Sequence, residues 1–121
     1  MRDYKKYEVW QNAHQLTLYV YQHVLPLFPS PELYALAAQL KRATYSVPLN
    51  ITEGCGRNSD RDFVHFLDIA LGSLHEAEYC VLLAKDLNYI DEIIFIELSE
   101  MLNPLKAKLI NLIKSIRTKN S

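Results

Sequence analysis

The chain has 121 residues, half of them hydrophobic, with three glycines, five prolines and a formal net charge of −1. That length and apolar content fit one folded domain, 1–121, and exclude a disordered or low-complexity chain. No apolar run approaches the ~20 residues of a membrane-spanning helix, so no membrane partner is expected, and the polar start Met1-Arg2-Asp3-Tyr4-Lys5-Lys6 does not look like a signal peptide.

Val9, Ala13, Leu16, Val20 and Val24 recur every three or four residues. They form one face of a first helix over about 7–27, ended by Pro26 and Pro29. Ser30-Pro31-Glu32 reads as the start of a second helix over about 31–54, with a capping serine, a proline in the first turn and an acid near the positive end. Its stripe is Leu33, Leu36, Ala37, Leu40, Thr44, Val47 and Ile51, and Gly54 and Gly56 are expected to stop it in the left-handed conformation. Ser59-Asp60-Arg61-Asp62 opens a third helix over about 60–88, with Asp62 standing where a capping box has Glu or Gln. The stripe here is Phe63, Phe66, Ala70, Leu74, Ala77, Val81 and Ala84, and Asn88 marks the end. Asp91 caps a fourth helix over about 91–117, with a face of Ile94, Leu98, Met101, Leu105, Leu109, Leu112 and Ile116. Pro104 lies inside it and is expected to kink it, or to split it after Leu102. No alternating strand pattern of useful length occurs and the connections are short, so the expected fold is all-α, an antiparallel up-down four-helix bundle.

Two features exceed what a lone bundle needs. At 100° per residue, Ile93, Ile96 and Ile110 point roughly 120–160° away from the main stripe of the fourth helix. A second buried surface made by self-association would cover them; the alternative is that the Pro104 kink turns them inward. On the second helix, Gln39, Arg42, Ser46, Asn50, Glu53 and Arg57 run in steps of three and four, about 80–160° from the Leu40 stripe. Pro48 removes a backbone donor and frees the Thr44 carbonyl, and Asn50 and Ser46 are placed to supply donors there. A parallel line on the third helix holds His65, Asp68, Gly72, Glu76 and Tyr79. The expectation is that the two lines face each other, within a subunit or across a subunit boundary, with Arg42 or Arg57 paired to Glu53 or Glu76, and that another backbone passes close to Gly72. Two solvated faces are the alternative.

The segments VWQNAHQL, PELYALAAQLKRATYSVPLNITEGCGR and IALGSLHEAEYCVLLAKDLNYI together resemble the bacterial four-helix bundle family named for open reading frames in 23S rRNA intervening sequences. The resemblance runs from about Tyr7 to Ile90. The usual family stretch is Ile-Pro-x-Asn-Ile-Ala-Glu-Gly; this chain has Val47 for the Ile and Thr52 for the Ala. The resemblance implies an antiparallel four-helix bundle, assembly as a ring-like homopentamer, and no established enzymatic activity. It places the signature on Gln39, Arg42, Ser46, Pro48, Asn50 and Glu53, on Gly54, Gly56 and Arg57, and on Gly72, Ser73 and Glu76. The family is similar to the accessory variability protein of diversity-generating retroelements, a basic pentamer that binds nucleic acid and a reverse transcriptase; this chain is slightly acidic instead.

The charge is unevenly spread. Residues 101–121 hold Lys106, Lys108, Lys114, Arg117 and Lys119 and no acid, whereas residues 1–100 hold 8 basic and 14 acidic side chains. This tail is the candidate nucleic-acid-binding element, although cations are also favoured at a helix C-terminus by the macrodipole.

Catalytic signals are weak. A di-iron bundle needs Glu-x-x-His twice; Asp62-Phe63-Val64-His65 occurs once, so neither a metal nor another cofactor is expected. Arg61 and His65 could serve a small helical-bundle ribonuclease, but three intervening residues do not match the four to six of that class. Cys55 and Cys80 lie far apart without C-x-x-C spacing, which points to free buried thiols and a cytoplasmic setting. The expected function is a non-enzymatic homo-oligomeric scaffold that binds RNA or DNA, or a nucleic-acid-processing protein. The alternatives are a protein-interaction adaptor with no nucleic-acid role, and the Arg61/His65 ribonuclease.

Overall fold

A computed structural model describes residues 2–119. Helix α1 spans Glu8–Tyr19, α2 Leu36–Cys55, α3 Asp60–Asp86 and α4 Glu92–Lys119, and no strand occurs among the described residues. Consecutive helices run antiparallel, as the short connections predict, and form an all-α four-helix bundle.

The first helix is drawn out by its prolines. After Tyr19 the chain widens into a π-helical turn, Val20–Val24, and then tightens into a 3-10 turn, Leu25–Leu27. Pro26 has no N–H to donate and its ring crowds the preceding turn, so the Leu25 N–H reaches back to the Val20 carbonyl instead. Phe28, forced out of the helical region by Pro29, is extended.

The second helix starts later than the sequence suggests. Ser30–Glu32 makes only a 3-10 turn, and α2 begins at Leu36 behind Ala35, which offers no side-chain cap. Leu33 is 58% exposed and Tyr34 stands almost free. With Leu33 more than half exposed, little apolar burial offsets the entropy of extending the helix through it. Glu32 lies close to the Tyr89 hydroxyl, and its carboxylate raises the Tyr89 pKa. The glycines also behave differently from the expectation. Gly54 lies inside α2, Gly56 follows it in the right-handed region, and neither adopts positive φ.

The starts of α3 and α4 follow the sequence. Ser59 accepts the Asp62 N–H at 3.1 Å, and Asp91 accepts the Ile94 N–H at 2.9 Å. Asn88, at φ 63°, supplies the left-handed turn after α3, and the Tyr89 N–H reverses onto the Ala84 carbonyl at 2.9 Å. Helix α4 continues through Pro104 as one helix, so of the two expected outcomes, a kink or a split, the split does not occur. Pro104 and Glu100 both face solvent, where water can satisfy the carbonyl that the proline leaves unpaired.

The core is a single cluster drawn from all four helices, with Leu16, Leu40, Ile51, Phe63, Leu67 and Leu105 among its fully buried members. Cys55 and Cys80 are free and buried in it. No helix among the described residues is long and apolar enough to cross a membrane.

Candidate assembly and nucleic-acid interface

Within one chain, among the described residues, the two polar lines are hydrogen-bonded only where Gln39 meets Glu76; Asp68 turns to Arg117 of α4 instead. Gln39 donates to Glu76, and the Ser46 and Ser73 hydroxyls lie 2.9 Å apart. Asn50 Nδ2 donates to the Ser46 carbonyl at 2.8 Å and to Ser46 Oγ at 2.9 Å, so Asn50 aims at Ser46 and not at the Thr44 carbonyl. Arg42 donates to Gln39 at 3.1 Å and reaches Glu76 only through it. Arg57 pairs with Glu53 at 2.7 Å, one turn back on the same helix, and its guanidinium lies 4.7 Å from the centre of the Phe66 ring. The result is a partly exposed seam along α2 and α3, in which an amide–carboxylate bond and a hydroxyl pair make the inter-helix hydrogen bonds and neither Arg42 nor Arg57 forms an ion pair across it.

Gly72 does not take part. A Cβ placed on it meets nothing within 4 Å, so no backbone passes close in the folded chain. The close approach is at Gly54. There a Cβ would stand 3.0 Å from Phe66 Cβ, 3.1 Å from Phe63 Cδ1 and 3.2 Å from the Phe63 carbonyl. Glycine suits that position because α3 packs closely on α2 there, and a Cβ would need Phe63 and Phe66 to give way.

The basic face of α4 is mostly spoken for. Lys106 pairs with Glu78 at 2.8 Å, Lys108 with Glu8 at 2.5 Å, and Arg117 with Asp68. Lys114 and Lys119 have no ion-pair partner among the described residues. The five cations therefore do not form one open stripe. The sequence count missed this because each acid lies on a different helix, up to a hundred positions away.

Beside Arg117, a cleft of about 510 Å³ opens between the first turns of α3 and the last turns of α4. Arg61, His65, Asp68 and Arg117 line it over an apolar floor of Val64 and Ile116. Next to it, Arg2 donates to Asp60 and to the Arg57 carbonyl, tying the N-terminus to the α2–α3 turn. The cleft joins Arg61 and His65, which the sequence places on one helix turn, to Arg117, which it places far away.

A different surface is apolar. Tyr79 and Leu82 on α3 and Phe95 and Ser99 on α4 line a groove of about 410 Å³, and Phe95, Ile96 and Ser99 line a second of about 470 Å³ beside it. Ile93 is 67% exposed and Ile96 47% exposed. Continuity of α4 past Pro104 does not turn them inward.

Burial pushes both thiols up, Cys80 further so by the nearby Glu76 charge, which leaves them inert. Burial, together with a hydrogen bond to Glu97, pushes Tyr19 up to about 12. Among the described residues no cluster of three metal-ligating side chains forms.

In three-dimensional shape the chain is similar to a crystal structure of a protein of unknown function from the S23 ribosomal protein family of Bacteroides thetaiotaomicron VPI-5482, with a TM-score of 0.81 and 22% sequence identity over 88% of this chain and 98% of that one. No curated protein matches it by sequence. The family model for the 23S rRNA-intervening sequence protein matches residues 5–111, which takes in α1, α2, α3 and most of α4 together with the polar seam, and the chain therefore belongs to that family.

Proposed function

We propose that the chain is a non-enzymatic scaffold that assembles with copies of itself, as a ring of five, and presents a repeated surface to RNA or DNA or to a protein that handles them. The observation that carries the reading is the uncovered apolar groove on α3 and α4. Covering each of its large side chains is worth about 1.5–3 kcal/mol, and a contiguous patch of this kind marks an interaction surface. A ring with an odd number of subunits needs two different patches that fit each other. Tyr45 and Leu49, exposed one turn apart on α2, offer the second. Repetition around a ring multiplies weak contacts to a long polymer into useful avidity.

The double variant Leu82→Glu, Ile96→Glu, one residue from each groove, tests this by size-exclusion chromatography. It is expected to elute as a folded single chain where the unchanged protein elutes as an assembly; identical elution of the two would remove the groove from the account. One observation favours a second reading, a ribonuclease: Arg61 and His65 share a cleft wide enough for a phosphodiester. That reading requires cleavage of RNA by the unchanged chain and its loss in His65→Ala.

A further inference from the structure

Cut across the helix midpoints, the bundle is polarised along its axis. The half holding the N-terminal arm, the α2–α3 turn and the end of α4 carries ten basic and six acidic side chains, net +4. The other half carries three basic and eight acidic ones, net −5. Four of the five arginines, Arg2, Arg57, Arg61 and Arg117, gather at the basic end, in or beside the cleft. The chain's small net charge conceals this, because ten of the thirteen bases lie at one end while the acids divide almost evenly, six and eight.

We infer that this end is the nucleic-acid-facing surface of the scaffold and that the cleft between α3 and α4 seats one backbone phosphodiester. The inference rests on the nucleic-acid reading above and gives it a site. Arg61 is the anchor: it lines the cleft and makes no hydrogen bond or ion pair to any described residue, so its planar fork is available to two phosphate oxygens. His65, one turn along the same face, supplies a second donor. Arg117 is the third. Its partner Asp68 holds it in an exposed pair of the kind worth little in water, so exchange of that carboxylate for a phosphate costs little. The other carboxylate of the lining, Asp60, is neutralised by Arg2. The positive end of α3 lies at the mouth, which adds to the attraction for an anion. The apolar floor of Val64 and Ile116 suits the sugar edge, and the cleft is open, as passage of a polymer requires. Lys114 and Lys119 flank it as general phosphate contacts.

Fluorescence anisotropy of a labelled single-stranded oligoribonucleotide, with the full chain and at about 50 mM salt, tests the site. Arg61→Gln is expected to weaken binding about tenfold and to lower the slope of log K against log salt by about one. Lys85→Gln at the acidic end is expected to leave both unchanged. Arg61 has no partner to lose among the described residues, so the thermal melt of Arg61→Gln should overlay that of the unchanged chain, which separates a lost contact from a lost fold. If Arg61→Gln binds normally while the double variant Lys114→Gln, Lys119→Gln does not, the cleft assignment is wrong and the scaffold reading survives. If the unchanged chain does not bind even at this low salt, both fall. Tighter capture of anionic lipid vesicles than of the oligonucleotide would assign the basic end to a membrane surface instead.

Discussion

Gly54 and Gly72 carry opposite expectations although both sit inside helices. Alanine at Gly54 must push into Phe66 and the Phe63 carbonyl, an overpacking of about 1–3 kcal/mol that outweighs the ~1 kcal/mol gained in helix propensity. Urea unfolding of Gly54→Ala should show a net loss of stability, whereas Gly72→Ala, with open space around it, should gain up to about 1 kcal/mol in the dissociated chain. A loss at Gly72 would mean that another backbone packs on it. Tyr19 provides a pH test. Its folded pKa, about 12, lies above the ordinary 10.0. The folded state therefore holds the phenol proton more tightly than the unfolded state, and the resulting stability is complete below pH 10 and lost as pH rises through about 12. Alkaline unfolding of Tyr19→Phe should lack this contribution; curves of the same shape for both proteins would contradict the role of Glu97.

At the scale of elements, what could be read from the sequence is what depends on neighbours in the chain. Apolar spacing placed four helices, and Ser59, Asn88 and Asp91 marked their ends because caps act over three or four residues. The start of α2 was misplaced because Ser30-Pro31-Glu32 has the local chemistry of a helix start, while the exposure of Leu33 depends on what the tertiary structure fails to put beside it. The seam was half legible. Periodicity gave the two lines, but not that Gln39 would take Glu76 and leave Arg42 on the rim. The cleft was not legible at all, since Arg117 reaches Asp68 and Arg61 only through the antiparallel return of α4. The seam itself can be measured. A double-mutant cycle on Ser46→Ala and Ser73→Ala should give a coupling of about 0.5–1.5 kcal/mol for the hydroxyl pair. Strict additivity would mean that the two hydroxyls do not share a proton.

For the whole molecule the folded chain leaves two kinds of surface unused: an apolar groove on α3 and α4, and a basic end where Arg61 has no ion-pair partner among the described residues. They lie on different parts of the bundle, so assembly through the groove would leave the basic ends displayed side by side. Self-association is the claim on which the scaffold reading depends, and light scattering of the unchanged chain at micromolar concentration tests it most directly. The expected result is the mass of five 14.0 kDa chains, holding steady on moderate dilution. A stable particle of 14.0 kDa would contradict it and leave Ile93 and Ile96 as mere surface side chains.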